Sequence, residues 1–112
     1  HTKLLEPASQ ALHRYFAGVS FGEPRFPVYF NCLGGPMGEG DTIPALLERQ
    51  VMSSVYMEDC IRRMAEDGVE VFVEIGPGKA LSGFVRKTVP GVKCCAVTTV
   101  EDVAALKGVL SC

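Results

Sequence analysis

The chain lacks the features that most readily announce a function. It has no excess charge of one sign: 11 lysines and arginines stand against 13 acidic residues, a net charge of −2. A nucleic-acid partner calls for a basic stripe or patch, so that class is set aside. Long apolar runs are missing too. Stretches such as Val71-Phe72-Val73 fall far short of the roughly 20 residues of a membrane-spanning helix, so no membrane partner is expected. No C-x-x-C pair occurs among Cys32, Cys60, Cys94, Cys95 and Cys112, and no metal-ligand cluster is present. There is no G-x-S-x-G elbow. Ser9, Ser20, Ser53, Ser54, Ser82 and Ser111 all lie outside such a turn, so no serine nucleophile is recognisable. Internal repeats and low-complexity linkers are also absent.

What remains is the composition of a soluble globular protein, 47% hydrophobic and 21% charged over 112 residues. That length predicts one core. The odd cysteine count, and an adjacent pair whose side chains would point to opposite faces of a strand, suit reduced, mostly buried thiols in a reducing compartment. The chain opens at His1 and passes at once into helix-like sequence. No initiator methionine or signal-peptide pattern precedes it, as expected of a truncated or processed segment.

Leu4, Leu5, Ala8, Ala11, Leu12, Tyr15 and Phe16 follow helical spacing, which predicts one helix over residues 3–17 with a buried stripe, Thr2 as its cap and Gly18 as its stop. Residues 26–32 read as a strand between prolines and glycines. Residues 33–41 read as a glycine-rich surface loop that fits no nucleotide pattern. Asp41 or Thr42 can cap a second helix with Pro44 in its first turn. A third starts at Ser53 or Ser54, with Met57, Cys60, Ile61, Met64 and Ala65 as its apolar stripe. Then come a strand (69–75), a helix (79–88), a strand (92–97) and a last helix behind the capping-box-like Thr99-x-x-Asp102. Strand, helix, strand is a βαβ unit with parallel pairing. Both of its strands are apolar at nearly every position, as in sheets covered on both faces. Three strands would leave two open edges, so further strands from a parent protein are expected to complete the sheet.

Gly76-Pro77-Gly78-Lys79 does not match the phosphate-loop spacing, because Val73 and Ala80 occupy the diagnostic positions. Leu81 breaks the dinucleotide fingerprint in the same way. Two readings stay open for this turn: a tight strand-to-helix connection, or backbone N–H groups holding an anion. Of the two histidines, His13 lies off the apolar stripe and reads as a solvated residue.

Several segments, in order, carry a family resemblance. They are His1 followed by Leu4-Leu5-Glu6-Pro7-Ala8, then Phe21-x-x-Pro24-x-x-Pro27-Val28 with Asn31, then Leu47-Glu48-Arg49-Gln50 and Met64-Ala65-Glu66-Asp67-Gly68-Val69. The strongest is Glu74-Ile75-Gly76-Pro77-Gly78-Lys79-Ala80-Leu81-Ser82-Gly83. Together they resemble the C-terminal part of the malonyl-CoA:acyl carrier protein transacylases of fatty acid synthesis, over essentially the whole chain.

The resemblance implies an α/β fold: residues 1–112 as the C-terminal part of an α/β-hydrolase-like acyltransferase domain, with short parallel strands and flanking helices. The nucleophile-bearing N-terminal part and a ferredoxin-like insert would lie elsewhere in the parent. It also implies ping-pong malonyl transfer from coenzyme A to the phosphopantetheine thiol of acyl carrier protein, with no cofactor and no metal. His1 would be the general base and acid, and the backbone carbonyl of Gln50 would orient its ring. The implied partners are acyl carrier protein, a coenzyme A thioester and the remainder of the enzyme. Arg62, Arg63, Arg86, Lys87 and Lys93 could face the acidic carrier, or be ordinary solvated side chains.

Family members often have Pro-Val-x-Trp after the glutamine, where this chain has Ser54-Val55-Tyr56-Met57. Gly78 takes the place of a histidine usual in large polyketide synthases, which favours a discrete enzyme. The alternatives are an acyltransferase segment of a polyketide synthase, or a non-catalytic interaction domain reusing this part of the fold. The compartment implied is the cytoplasm in bacteria, and the plastid or mitochondrion in eukaryotes.

Overall fold

Threonine hydroxyls begin both helical segments of the first half of the chain. In the computed structural model, which describes residues 2–110, Thr2 Oγ1 accepts the Leu4 amide at 3.2 Å. It opens a 3-10 turn, Lys3–Leu5, that runs into α1 (Glu6–Phe16). Thr42 Oγ1 accepts the Ala45 amide at 3.4 Å and starts α2 (Ile43–Gln50), with a proline in the first turn. Both hydroxyls satisfy amides that have no intrahelical partner.

The chain divides into two compact units, residues 1–60 and 61–112, where its length had predicted one core. In the first unit the core is small. Phe30, Cys32 and Leu46 are buried, with Leu33, Met37, Ile43 and Leu47 packed around them. The expected strand over 26–32 contracts to β1 (Tyr29–Phe30), which pairs antiparallel with β2 (Gly35–Pro36) in the register Tyr29↔Pro36 and Phe30↔Gly35. The contraction has a local cause. The Phe30 carbonyl accepts the amides of Leu33 and Gly34, both at 3.0 Å, so the chain turns back at once. Gly34 takes φ +67° to allow it. The glycine-rich segment is thus part of a hairpin rather than wholly a surface loop. The stripe of α1 also departs from expectation. No residue of α1 is buried, and Leu4 and Tyr15 are 86% and 71% exposed.

Helix α3 (Met57–Glu66) spans the boundary between the units. It begins later than expected because Ser53 turns back on α2: its hydroxyl donates to the Arg49 carbonyl at 2.7 Å. Its stripe is as expected, with Cys60 and Ile61 buried and Met57, Met64 and Ala65 half-buried.

The second unit is built on β3 (Val71–Ile75) and β4 (Lys93–Val97), parallel from Val71↔Lys93 to Ile75↔Val97. They are joined through α4 (Ala80–Thr88), and α5 (Val100–Leu110) follows. The βαβ reading therefore holds. The sheet has two strands instead of three, because β1 pairs with β2 and not with β3. Ser82, Val85 and Val97 are its buried residues beside Ile61.

Candidate functional site

His1 lies outside the described residues, so the site is built from Gln50 and the groups near it. Gln50 is the last residue of α2, where helix carbonyls have no intrahelical partner. Its carbonyl accepts the Ser53 amide at 3.4 Å. Helix α1 lies along α2 in the opposite direction. Near its start, Ser9 Oγ donates to the Glu48 carbonyl at 2.9 Å. One turn on, His13 Nδ1 sits 3.1 Å from both carboxylate oxygens of Glu48. At its end, Phe16 and Ala17 meet Thr42 and Pro44 across a cleft of about 290 Å³. The amino end of α1 consequently lies toward the carboxyl end of α2, where Gln50 is found.

His13 is exposed, as the sequence reading expects, with one addition. It is 74% exposed but not merely solvated, since its ring is tied to a carboxylate that is itself only 21% exposed. A carboxylate can only accept, so Nδ1 carries the proton in this pair. The pairing left no signal in the sequence, because the two residues are 35 positions apart.

Around Gly76 and Gly78 the two open readings are decided by a side chain. Both glycines have positive φ, +132° and +90°, so a tight turn is present. An anion sits at the start of α4 as well: it is Glu74. Its carboxylate accepts the Ser82 hydroxyl at 2.7 Å, the Ser82 amide at 2.8 Å and the Leu81 amide at 3.3 Å. These bonds, the Ser82 hydroxyl foremost, hold its pKa below the usual glutamate value. The helix start is thereby filled from within the chain. Ser82 follows a strand and a turn, yet it is buried with its hydroxyl committed to Glu74, which is not the exposed setting of a nucleophile. Asp102 does the same for α5. It accepts the Thr98 and Thr99 amides at 2.9 and 3.0 Å, which lowers its pKa, while Thr99 Oγ1 accepts the Asp102 amide at 3.2 Å.

Of the basic residues, Arg62 donates to the Thr88 carbonyl and Arg86 to the Cys94 carbonyl, each at 3.4 Å. Lys87 lies in the last turn of α4 and Lys93 begins β4. Four cations are thus gathered near the carboxyl end of α4, where the helix dipole favours positive charge. Arg63 is engaged with Asp67 at 3.2 Å.

Cys32, Cys60, Cys94 and Cys95 are free thiols. Burial pushes the Cys60 thiol pKa up, helped by the neighbouring Asp59 charge. The buried Asn31 Oδ1 has no hydrogen-bond partner among the described residues, a feature that the sequence did not signal. Among the described residues, no group of three or more His, Cys, Asp and Glu could hold a metal ion, and no helix is long and apolar enough to cross a membrane.

No family model matches the chain. It is 34% identical over 103 residues to the malonyl CoA-acyl carrier protein transacylase of Bacillus subtilis, covering 92% of this chain and 32% of that protein. The crystal structure of the malonyl CoA-acyl carrier protein transacylase from Clostridium perfringens superposes with a TM-score of 0.91 at 35% identity, over 99% of this chain and 35% of the other. A malonyl-transacylase solved in complex with a type II PKS acyl-carrier protein gives a TM-score of 0.81 at 32% identity, over 96% and 35%. The chain spans about a third of the length of these relatives. It adopts their α/β architecture and is similar in sequence and structure to a stretch about a third the length of the malonyl CoA-acyl carrier protein transacylases.

Proposed function

We propose that this chain is the base-bearing, C-terminal part of an acyltransferase that moves malonyl from coenzyme A to the phosphopantetheine thiol of acyl carrier protein. The observation that supports the reading is the antiparallel seating of α1 on α2, which brings the amino end of α1 toward the end of α2 that Gln50 closes. In this reading the carbonyl accepts His1 Nδ1–H and fixes the tautomer, leaving Nε2 to accept a proton. The remainder of the enzyme supplies a serine. Nε2 takes its proton as the oxygen attacks the thioester, and returns it to the departing coenzyme A sulfur. In the second half, the carrier thiol gives its proton to Nε2 and its sulfur attacks the acyl ester. The serine oxygen then leaves with that proton. Only these side chains are used, and the route requires no cofactor.

The exposed cations around the carboxyl end of α4 offer a complementary surface for an acidic carrier. Charge reversal at Arg86 and Lys87 is expected to raise the carrier-protein KM at low salt, and unchanged kinetics would exclude that role. The relative complexed with a type II PKS carrier favours a second reading in which the carrier serves polyketide rather than fatty acid synthesis. Assays with both carriers distinguish them.

The decisive test is made in the intact enzyme. His1→Ala should lower kcat by about 10²–10⁴-fold, the usual worth of a general acid–base. Gln50→Ala keeps the carbonyl and should retain most activity. Equal losses would refute the pairing. Native mass spectrometry of the 12.1 kDa chain shows whether a second polypeptide accompanies it. The purified chain alone is expected to have no transacylase activity.

A further inference from the structure

We infer that Ser9, His13 and Glu48 form a polar clasp that sets the register of α1 on α2 and thereby positions the amino-terminal histidine against the Gln50 carbonyl. The inference rests on the reading of His1 and Gln50 given above.

Helix α1 buries no residue fully, and only Leu12 and Phe16 of its apolar stripe are half-buried, so apolar packing holds it weakly along α2. The seam between them is loose. Clefts of about 290 and 280 Å³ lie to either side of the His13–Glu48 pair. Specific polar bonds cross the seam as well. Glu48 is engaged twice, its carbonyl by Ser9 at 2.9 Å and its carboxylate by His13 at 3.1 Å. Ser9 and His13 are four residues apart, which places both on one face of α1. Slipping α1 by one turn would displace it by about 5.4 Å and break both contacts. A displacement of that size would also shift the amino end of α1 relative to the carboxyl end of α2, where Gln50 lies two residues beyond Glu48. Glu48 is thus a positioning residue. A carboxylate held at 21% exposure is costly to leave unpaired, which makes the engaged arrangement the favoured one.

Nuclear magnetic resonance on the ¹⁵N-labelled 112-residue chain tests this, with Glu48→Ala, Glu48→Gln, His13→Ala and the His13→Ala/Glu48→Ala double variant. An exposed histidine–carboxylate contact of this kind predicts amide exchange in α1 accelerated by up to about fivefold in each alanine single variant. The double variant should be no faster than the singles, and Glu48→Gln should stay near wild type, because its carboxamide oxygen still accepts Nδ1–H. Unchanged α1 exchange, or additive effects in the double variant, would overturn the clasp.

The His1 ring nitrogens report positioning. In the wild type they should show the Nδ1–H tautomer, relaxing toward free imidazole in the alanine variants and restored in Glu48→Gln. A ring that keeps the Nδ1–H tautomer in every variant would overturn the positioning role alone. A ring already unrestrained in the wild type would overturn the His1–Gln50 assignment, and the positioning with it. Signals from residues 61–110 should not move, which separates a local effect from misfolding.

Discussion

Leu46→Ala should destabilise the first unit far more than the second. Leu46 is 2% exposed and sits in a small buried cluster with Phe30 at 5% and Cys32 at 2%. Truncating a buried leucine costs the lost transfer energy and leaves a cavity, together about 2–5 kcal/mol. The lower half of that range applies here. The surrounding Leu33, Met37, Ile43 and Leu47 are only partly buried and can relax into the space. A loss of about 2–3 kcal/mol is a large part of the stability of a small unit. Hydrogen exchange resolved by segment is the assay. Amides of α2 should exchange about 30–150-fold faster, at 1.4 kcal/mol per tenfold, while those of β3 and β4 stay within a small factor of wild type. Equal acceleration in both units would refute the division into two units. A change below about 0.5 kcal/mol, the ordinary surface range, would refute the placement of Leu46 in the core.

Glu74→Gln tests the carboxylate at the start of α4. Because its bonds to Ser82 and Leu81 lower the folded pKa, Glu74 contributes stability that is fully present above its unfolded pKa and lost as pH falls through the lowered folded value. The variant should flatten the acid limb of a thermal-stability profile, and an unchanged limb would count against the capping role. Gly34→Ala should cost more than Gly78→Ala. Both positions have positive φ, a strain of order 1–3 kcal/mol, but a Cβ at Gly34 would also lie 2.9 Å from Asp59 Cβ, whereas Gly78 faces open space. Denaturant midpoints of the two variants decide the order. Cys60 should alkylate more slowly than Cys94 or Cys95 at neutral pH, because burial raises its thiol pKa and limits access. Mass spectrometry after iodoacetamide labelling checks this.

Much of the local structure was legible in the residues. Thr2, Thr42 and Thr99 each accept the amide their capping chemistry implies. The apolar runs around Val71–Val73 and Cys94–Val97 pair in parallel as a strand–helix–strand order demands. Other features needed partners remote in sequence. The run over 26–32 has the composition of a strand, but the Phe30 carbonyl is consumed by a turn and leaves two paired residues. The α1 stripe has helical periodicity, yet periodicity gives a direction and not a partner, and in this chain the stripe is at most half-buried, at Leu12 and Phe16.

Capping groups, periodicity and the glycines that need positive φ act over a few residues. The sequence by itself therefore determined the helices, the parallel strand pair and, through the order of its motifs, the likeness to the transacylases. The pairing of His13 with Glu48, of Ser82 with Glu74 and of β1 with β2, and the division into two units, were decided by the tertiary structure. The His13–Glu48 pair spans 35 positions. Which acceptor a side chain meets at that range depends on how helices and strands pack, and no short-range pattern records it.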